Sequence, residues 1–96
     1  METATKPELI EKEDIVSLRF PKDPLPRTKD EKSILTMKLQ KAQTLGNLHH
    51  NKIKIQFMDD KGLKEVNTTV WAVGDDYVVL KKGIFIPINR IVDLQI

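Results

Sequence analysis

A chain of 96 residues with 40% apolar side chains has material for one modest core and one domain at most. It contains no cysteine, which excludes disulfide staples and thiolate metal sites and suits a reducing compartment. Its formal net charge of +2 is too small to argue by itself for a nucleic-acid partner.

The charge is unevenly spread. Residues 1–33 carry seven Lys/Arg against eight Asp/Glu, and residues 34–96 carry nine against six. A mild basic excess serves solubility first and adds some attraction to polyanions. The opening residues have no basic region followed by an apolar core, so no secretory signal is expected. No apolar run approaches the roughly 20 residues needed to span a bilayer. A soluble cytoplasmic protein with no membrane partner is expected.

Residues 1–27 are expected to form a flexible, proline-bearing N-terminal arm, with 1–14 polar and disordered. Within it, Ile15-Val16-Ser17-Leu18-Arg19-Phe20 is apolar and leads into Pro21-Lys22-Asp23-Pro24-Leu25-Pro26, where three prolines forbid helix. This segment can strap its own domain or dock on a partner as a short linear peptide.

Residues 28–96 form the second unit, a helix followed by strands. Thr28-Lys29-Asp30-Glu31 has the capping-box pattern, and Gly46 reads as a left-handed terminator. Between them Ile34, Leu35, Leu39, Ala42 and Leu45 share one face, with Lys38 snorkelling from its margin. Asn47-Leu48-His49-His50-Asn51 reads as a linker; adjacent histidines without a third ligand make a poor metal site.

Lys52 to Met58 alternates, directing Ile53, Ile55 and Phe57 inward. Asp59-Asp60-Lys61-Gly62 is a hairpin turn, and Leu63 to Val73 a long strand. Apolar residues on both sides near Val70–Val73 imply a bend or bulge. Gly74-Asp75-Asp76 turns into Tyr77–Leu80, Lys81-Lys82-Gly83 turns into Ile84–Ile88, and Asn89-Arg90 leads into the last strand. The expected architecture is α+β, mainly β: five strands curled into a small barrel, capped by the one N-terminal helix. Pro87 cannot donate to a ladder, which places its strand at an edge or bulge, or turns its N–H side outward. Both faces of Tyr77–Leu80 and Ile84–Ile88 are apolar, so one lines the core and the other needs a cover.

The succession resembles the Sm-like fold, close to SH3-like barrels, and is similar to short uncharacterised bacterial proteins. Lys52–Asp75 would be the first signature. Ile86-Pro87-Ile88-Asn89-Arg90-Ile91-Val92 would be the second, with Pro87 and Ile88 standing where the family has Arg-Gly. Asp75-Asp76-Tyr77 followed by Val78-Val79-Leu80 looks like the segment whose aromatic stacks on a base. The resemblance implies a small barrel and, as a second candidate function, single-stranded RNA binding.

No set of residues suggests catalysis, a cofactor or a metal. The chain lacks a Gly-rich phosphate loop, a nucleophile elbow and a His–Glu metal motif. Asp59-Asp60 and Asp75-Asp76 sit in turns, where aspartate bonds local backbone. For nucleic acid, Tyr77 and Trp71 are the stacking candidates, and Lys52, Lys54, Lys64, Lys81, Lys82 and Arg90 the phosphate partners. For self-association, the candidates are Ile84, Ile86 and Ile88 on the apolar edge strand. The expected function is a non-enzymatic protein-interaction or oligomerisation module whose partner is itself or another protein.

Overall fold

The computed structural model describes residues 6–96; the part of the N-terminal arm within residues 1–5 lies outside the described residues. Among the described residues, one α-helix, α1 (Lys29–His49), accompanies seven strands in two sheets. The four-stranded sheet has the order β1 (Glu8–Ile10), β3 (Leu63–Thr68), β2 (Ile53–Met58), β7 (Ile91–Gln95). The three-stranded sheet has the order β4 (Val70–Val73), β5 (Tyr77–Leu80), β6 (Ile84–Pro87). The fold is α+β, as expected, but the expected five-stranded closure is corrected: the two sheets do not join into a barrel.

Two features account for this. The 3-10 turn Ile88–Arg90 carries the chain from β6 to β7 with no ladder between them. On the other side, the arm enters the fold. Its strand β1 pairs in parallel with β3, and its 3-10 turn Lys12–Ser17 packs against both β3 and β6. Ile15 from that turn is buried in the core, with Ile10, Leu18 and Phe20 around it. Phe20 lies 5.7 Å from the Phe57 ring, centroid to centroid.

Beyond Phe20 the proline-bearing stretch is laid along the turn into β7. Leu25 N–H donates to Asn89 O at 2.9 Å, Arg90 Nη1 to Asp23 O at 2.7 Å, and Arg27 Nη2 to Ile91 O at 2.6 Å. Among the segments that carry prolines, this one satisfies neighbouring backbone carbonyls instead of a regular ladder of its own.

Helix α1 begins where local chemistry dictates. Thr28 Oγ1 accepts from Glu31 N at 3.1 Å, and Glu31 Oε1 accepts from Thr28 N at 2.7 Å, so two helix-end donors are satisfied reciprocally. Its end differs from the expectation. The helix runs through Gly46 to His49, and His50, at φ 54°, supplies the left-handed cap. The expected linker 47–51 is therefore half helix. Gly46 serves packing instead: a Cβ there would collide with the Val70 carbonyl oxygen. The buried stripe is Leu35, Leu39, Ala42 and Gly46, while Ile34 is exposed and Leu45 half-buried. Lys38 reaches Asp93 of β7 at 2.7 Å, and Gln43 Oε1 accepts from Val73 N at 2.7 Å, covering the free edge of β4.

The long strand expected over Leu63–Val73 breaks at Thr69 into β3 and β4, and its register against β5 shifts between Val70 and Ala72. The shift is a bulge, and it reverses the side-chain parity. Val66, Thr68 and Val70 are buried as one side, but past the bulge Val73 packs on the core and Ala72 is exposed. Among the described residues, no helix is long and apolar enough to cross a membrane.

Candidate interaction surface

The two sheets present very different outer faces. Registers of β2 with β3 and β7 align Lys54 with Asn67 and Gln95, and Gln56 with Glu65 and Asp93. That outer face is polar, and Gln56 Nε2 donates to Glu65 Oε1 across it at 3.1 Å. On the three-stranded sheet the inner face is Val70, Val78, Leu80 and Ile86, all fully buried. Its outer face aligns Tyr77 with Pro87, and Val79 with Phe85 and Ala72. None of these five side chains carries a formal charge at neutral pH.

The helix and the arm flank this apolar face at its Tyr77 and Pro87 end and leave its aromatics half exposed. Tyr77 is 51% exposed and Phe85 56%, and their rings meet edge to face with centroids 6.0 Å apart. Trp71, 47% exposed, stands at the bulge beside Ala72. Exposed apolar side chains gathered on one face, unlike ones scattered singly, make a candidate contact surface. The turn that sets its register is Lys81-Lys82-Gly83, where Lys82 and Gly83 both take positive φ (71° and 78°).

Charge frames the face at its two ends. Asp75 and Asp76 precede β5, and Lys81 and Lys82 follow it; all four are exposed. Lys82 Nζ comes no nearer than 3.9 Å to Glu13, a loose surface pair.

The candidate nucleic-acid residues scatter. Lys54 belongs to the polar face of the other sheet, Lys52 is exposed ahead of β2, and Lys81 and Lys82 lie at the far end of β5 from Tyr77. Lys64 is buried, 3.2 Å from Asp59 and 3.6 Å from Glu8. Arg90 is also buried, and its guanidinium donates through Nε to the Met58 carbonyl and through Nη1 to the Asp23 carbonyl. What does gather around Tyr77 is a groove of about 470 Å³ that includes Arg27, Lys32, Asp75, Asp76 and Asn89.

The three self-association candidates share one side of β6 and the turn after it. Ile86 is fully buried, and Ile84 and Ile88 are half-buried against the core, so this parity faces inward. Phe85 and Pro87 take the outward positions. The signal lay in the turn: centring the hairpin on Lys81-Lys82-Gly83 pairs Leu80 with Ile84 and sets Phe85 beside Val79, on the side of Tyr77. Of the adjacent histidines, both are exposed at the helix end, and no metal-ligating cluster forms among the described residues. The chain matches no family model, no curated protein and no solved structure.

Proposed function

We propose that this protein is a non-catalytic interaction and oligomerisation module that works through the outer face of β4, β5 and β6. One observation carries the reading: the two sheets share a core, yet one outer face is polar and the other is apolar, aromatic and open. Burying such a face on association removes apolar surface from water at about 25 cal/mol per Å². The architecture is read as an opened form of the small Sm- or SH3-like barrel. In support, a bent strand passes from one sheet to the other, and a 3-10 turn precedes the last strand. A cytoplasmic setting agrees with a chain that uses no cysteine.

Sedimentation velocity at rising concentration tests the reading with Phe85→Lys. Phe85 is more than half exposed, with its ring against Tyr77 on the outer face, so the variant is expected to fold. The wild type sediments as an associated species, and the variant stays a monomer. A wild type that remains monomeric to millimolar concentration overturns the reading.

A second reading, Sm-like binding of single-stranded RNA, is favoured by the groove where Tyr77 meets Arg27, Lys32 and Asn89. A base stacked on Tyr77 would gain roughly 1–3 kcal/mol. Asp75 and Asp76 line the same groove and oppose phosphate, which places this reading second. Quenching of aromatic fluorescence by a single-stranded oligonucleotide, with a steep salt slope, would reverse the order.

A further inference from the structure

We infer that the partner of the apolar sheet face is a second copy of this chain, stacked face to face with β5 of the two copies antiparallel. The inference rests on the interaction reading and adds the identity and orientation of the partner. Its basis is the charge at the ends of β5. Asp75 and Asp76 lie at one end and Lys81 and Lys82 at the other, separated by roughly 17 Å along the strand at 3.3 Å per residue. Between them the outward positions, Ala72, Tyr77, Val79, Phe85 and Pro87, are uncharged.

Symmetry decides between the ways two such faces can stack. A two-fold axis parallel to β5 would set lysines over lysines and aspartates over aspartates. A two-fold axis lying in the interface and perpendicular to β5 reverses the strand. Each Lys81-Lys82 end then meets the partner's Asp75-Asp76 end, and the contact occurs twice because the interface is isologous. Like charges brought together are costly and opposite charges fix register, so the face is complementary to itself in one orientation only.

The size is adequate for a reversible dimer. Tyr77, Phe85 and Trp71 are each about half exposed, and at 150–250 Å² for a whole aromatic they offer on the order of 300 Å². Ala72, the half-buried Val79 and Pro87, and the charged rim enlarge this centre, and an interface smaller than the ~800 Å² per partner of a standard one suits weak, reversible association. The polar face of the other sheet offers no comparable centre, and at the β4 edge the Val73 N–H is already taken by Gln43 of the helix.

Charge exchange tests the orientation. One variant carries Lys81→Asp and Lys82→Asp, making both ends negative; the other carries Asp75→Lys and Asp76→Lys, making both positive. All four positions are exposed turn residues, and circular dichroism confirms the fold of each. Alone, each variant is expected to dimerise at least tenfold more weakly than the wild type in low salt. Mixed in equal amounts they are expected to recover a heterodimer, with the recovery fading as salt rises. If Phe85→Lys abolishes association but the charge variants associate like the wild type, or if the assembly exceeds two copies, this orientation is overturned and the interaction reading stands. If the wild type never associates, both fall.

Discussion

Gly46→Ala is expected to destabilise the protein by about 3 kcal/mol, although alanine is the better helix former by about 1 kcal/mol. Gly46 lies inside α1, four residues before the left-handed cap at His50, and its α-carbon faces the start of β4. A methyl group there would drive into the Val70 carbonyl oxygen and press within 3.2 Å of Thr69 Cγ2. The first of these neighbours is backbone, at the point where the chain bends from β3 into β4, and it cannot rotate away. The helix must therefore lift. Lifting it loosens Leu39 and Ala42 and lengthens the Gln43 to Val73 hydrogen bond that closes the β4 edge. Close packing makes such a displacement costly even for one methyl. Thermal unfolding should show a fall of roughly 10–20 °C in Tm for a domain of this size. Asn47→Ala, one residue along on the exposed side, is the control and should stay within about 0.5 kcal/mol of the wild type. Equal stability of the two variants would mean that the helix is not seated on β4 through Gly46.

The same glycine shows where the sequence is legible and where it is not. The Thr28–Glu31 capping box and the Asp59–Gly62 turn are recoverable from sequence because every partner lies within three residues. The bend at Val70–Val73 is recoverable too, since apolar residues on both sides of one strand need two different surroundings. Gly46 misleads because its role is fixed by Val70, 24 positions away, and a helix-terminating glycine looks the same in sequence. Lys64 and Arg90 read as surface cations, yet Lys64 is enclosed against Asp59 across its own hairpin, and Arg90 finds the Met58 and Asp23 carbonyls of distant segments. The arm reads as loose because it is polar on average; its few apolar residues, Ile15 above all with Ile10, Leu18 and Phe20, tie it into the core. For β5 and β6 the hairpin is legible in the sequence, but which residues of β6 face outward is not. Isoleucines at 84, 86 and 88 outnumber the aromatic and proline between them, and only the turn register tells which set faces out.

Asp59→Ala is expected to be the costliest single change, at about 3–5 kcal/mol, because it leaves a buried cation without its principal partner. Asp59 and Lys64 are both enclosed, with side chains 1% and 8% exposed. Asp59 Oδ1 accepts from the Lys61 and Gly62 amides at 2.9 Å each and from Lys64 Nζ at 3.2 Å. Burial by itself would raise the Asp59 carboxyl pKa; the two amides and the ammonium outweigh it and hold the pKa below its ordinary value. Burial likewise works to lower the Lys64 pKa, and Asp59 and Glu8 together raise it instead. The signs then fix the pH window. A carboxyl depressed in the folded state contributes stability above its unfolded pKa of about 4, and loses it as pH falls through the lower folded value. A lysine raised in the folded state contributes fully below about pH 10, and loses it as pH rises through the higher folded value. Chemical denaturation of wild type and Asp59→Asn should therefore differ most near neutral pH, and the gap should narrow below pH 4. Lys64→Met in the Asp59→Ala background should recover part of the loss, because the stranded charge goes with it. The pair also anchors the arm, since Lys64 lies 3.6 Å from Glu8 at the register where β1 meets β3. Amide exchange at Leu9 and Ile10 should accelerate in Asp59→Ala ahead of global unfolding. If those amides exchange as in the wild type, the ion pair stabilises the Asp59–Gly62 hairpin alone and β1 is held by its ladder.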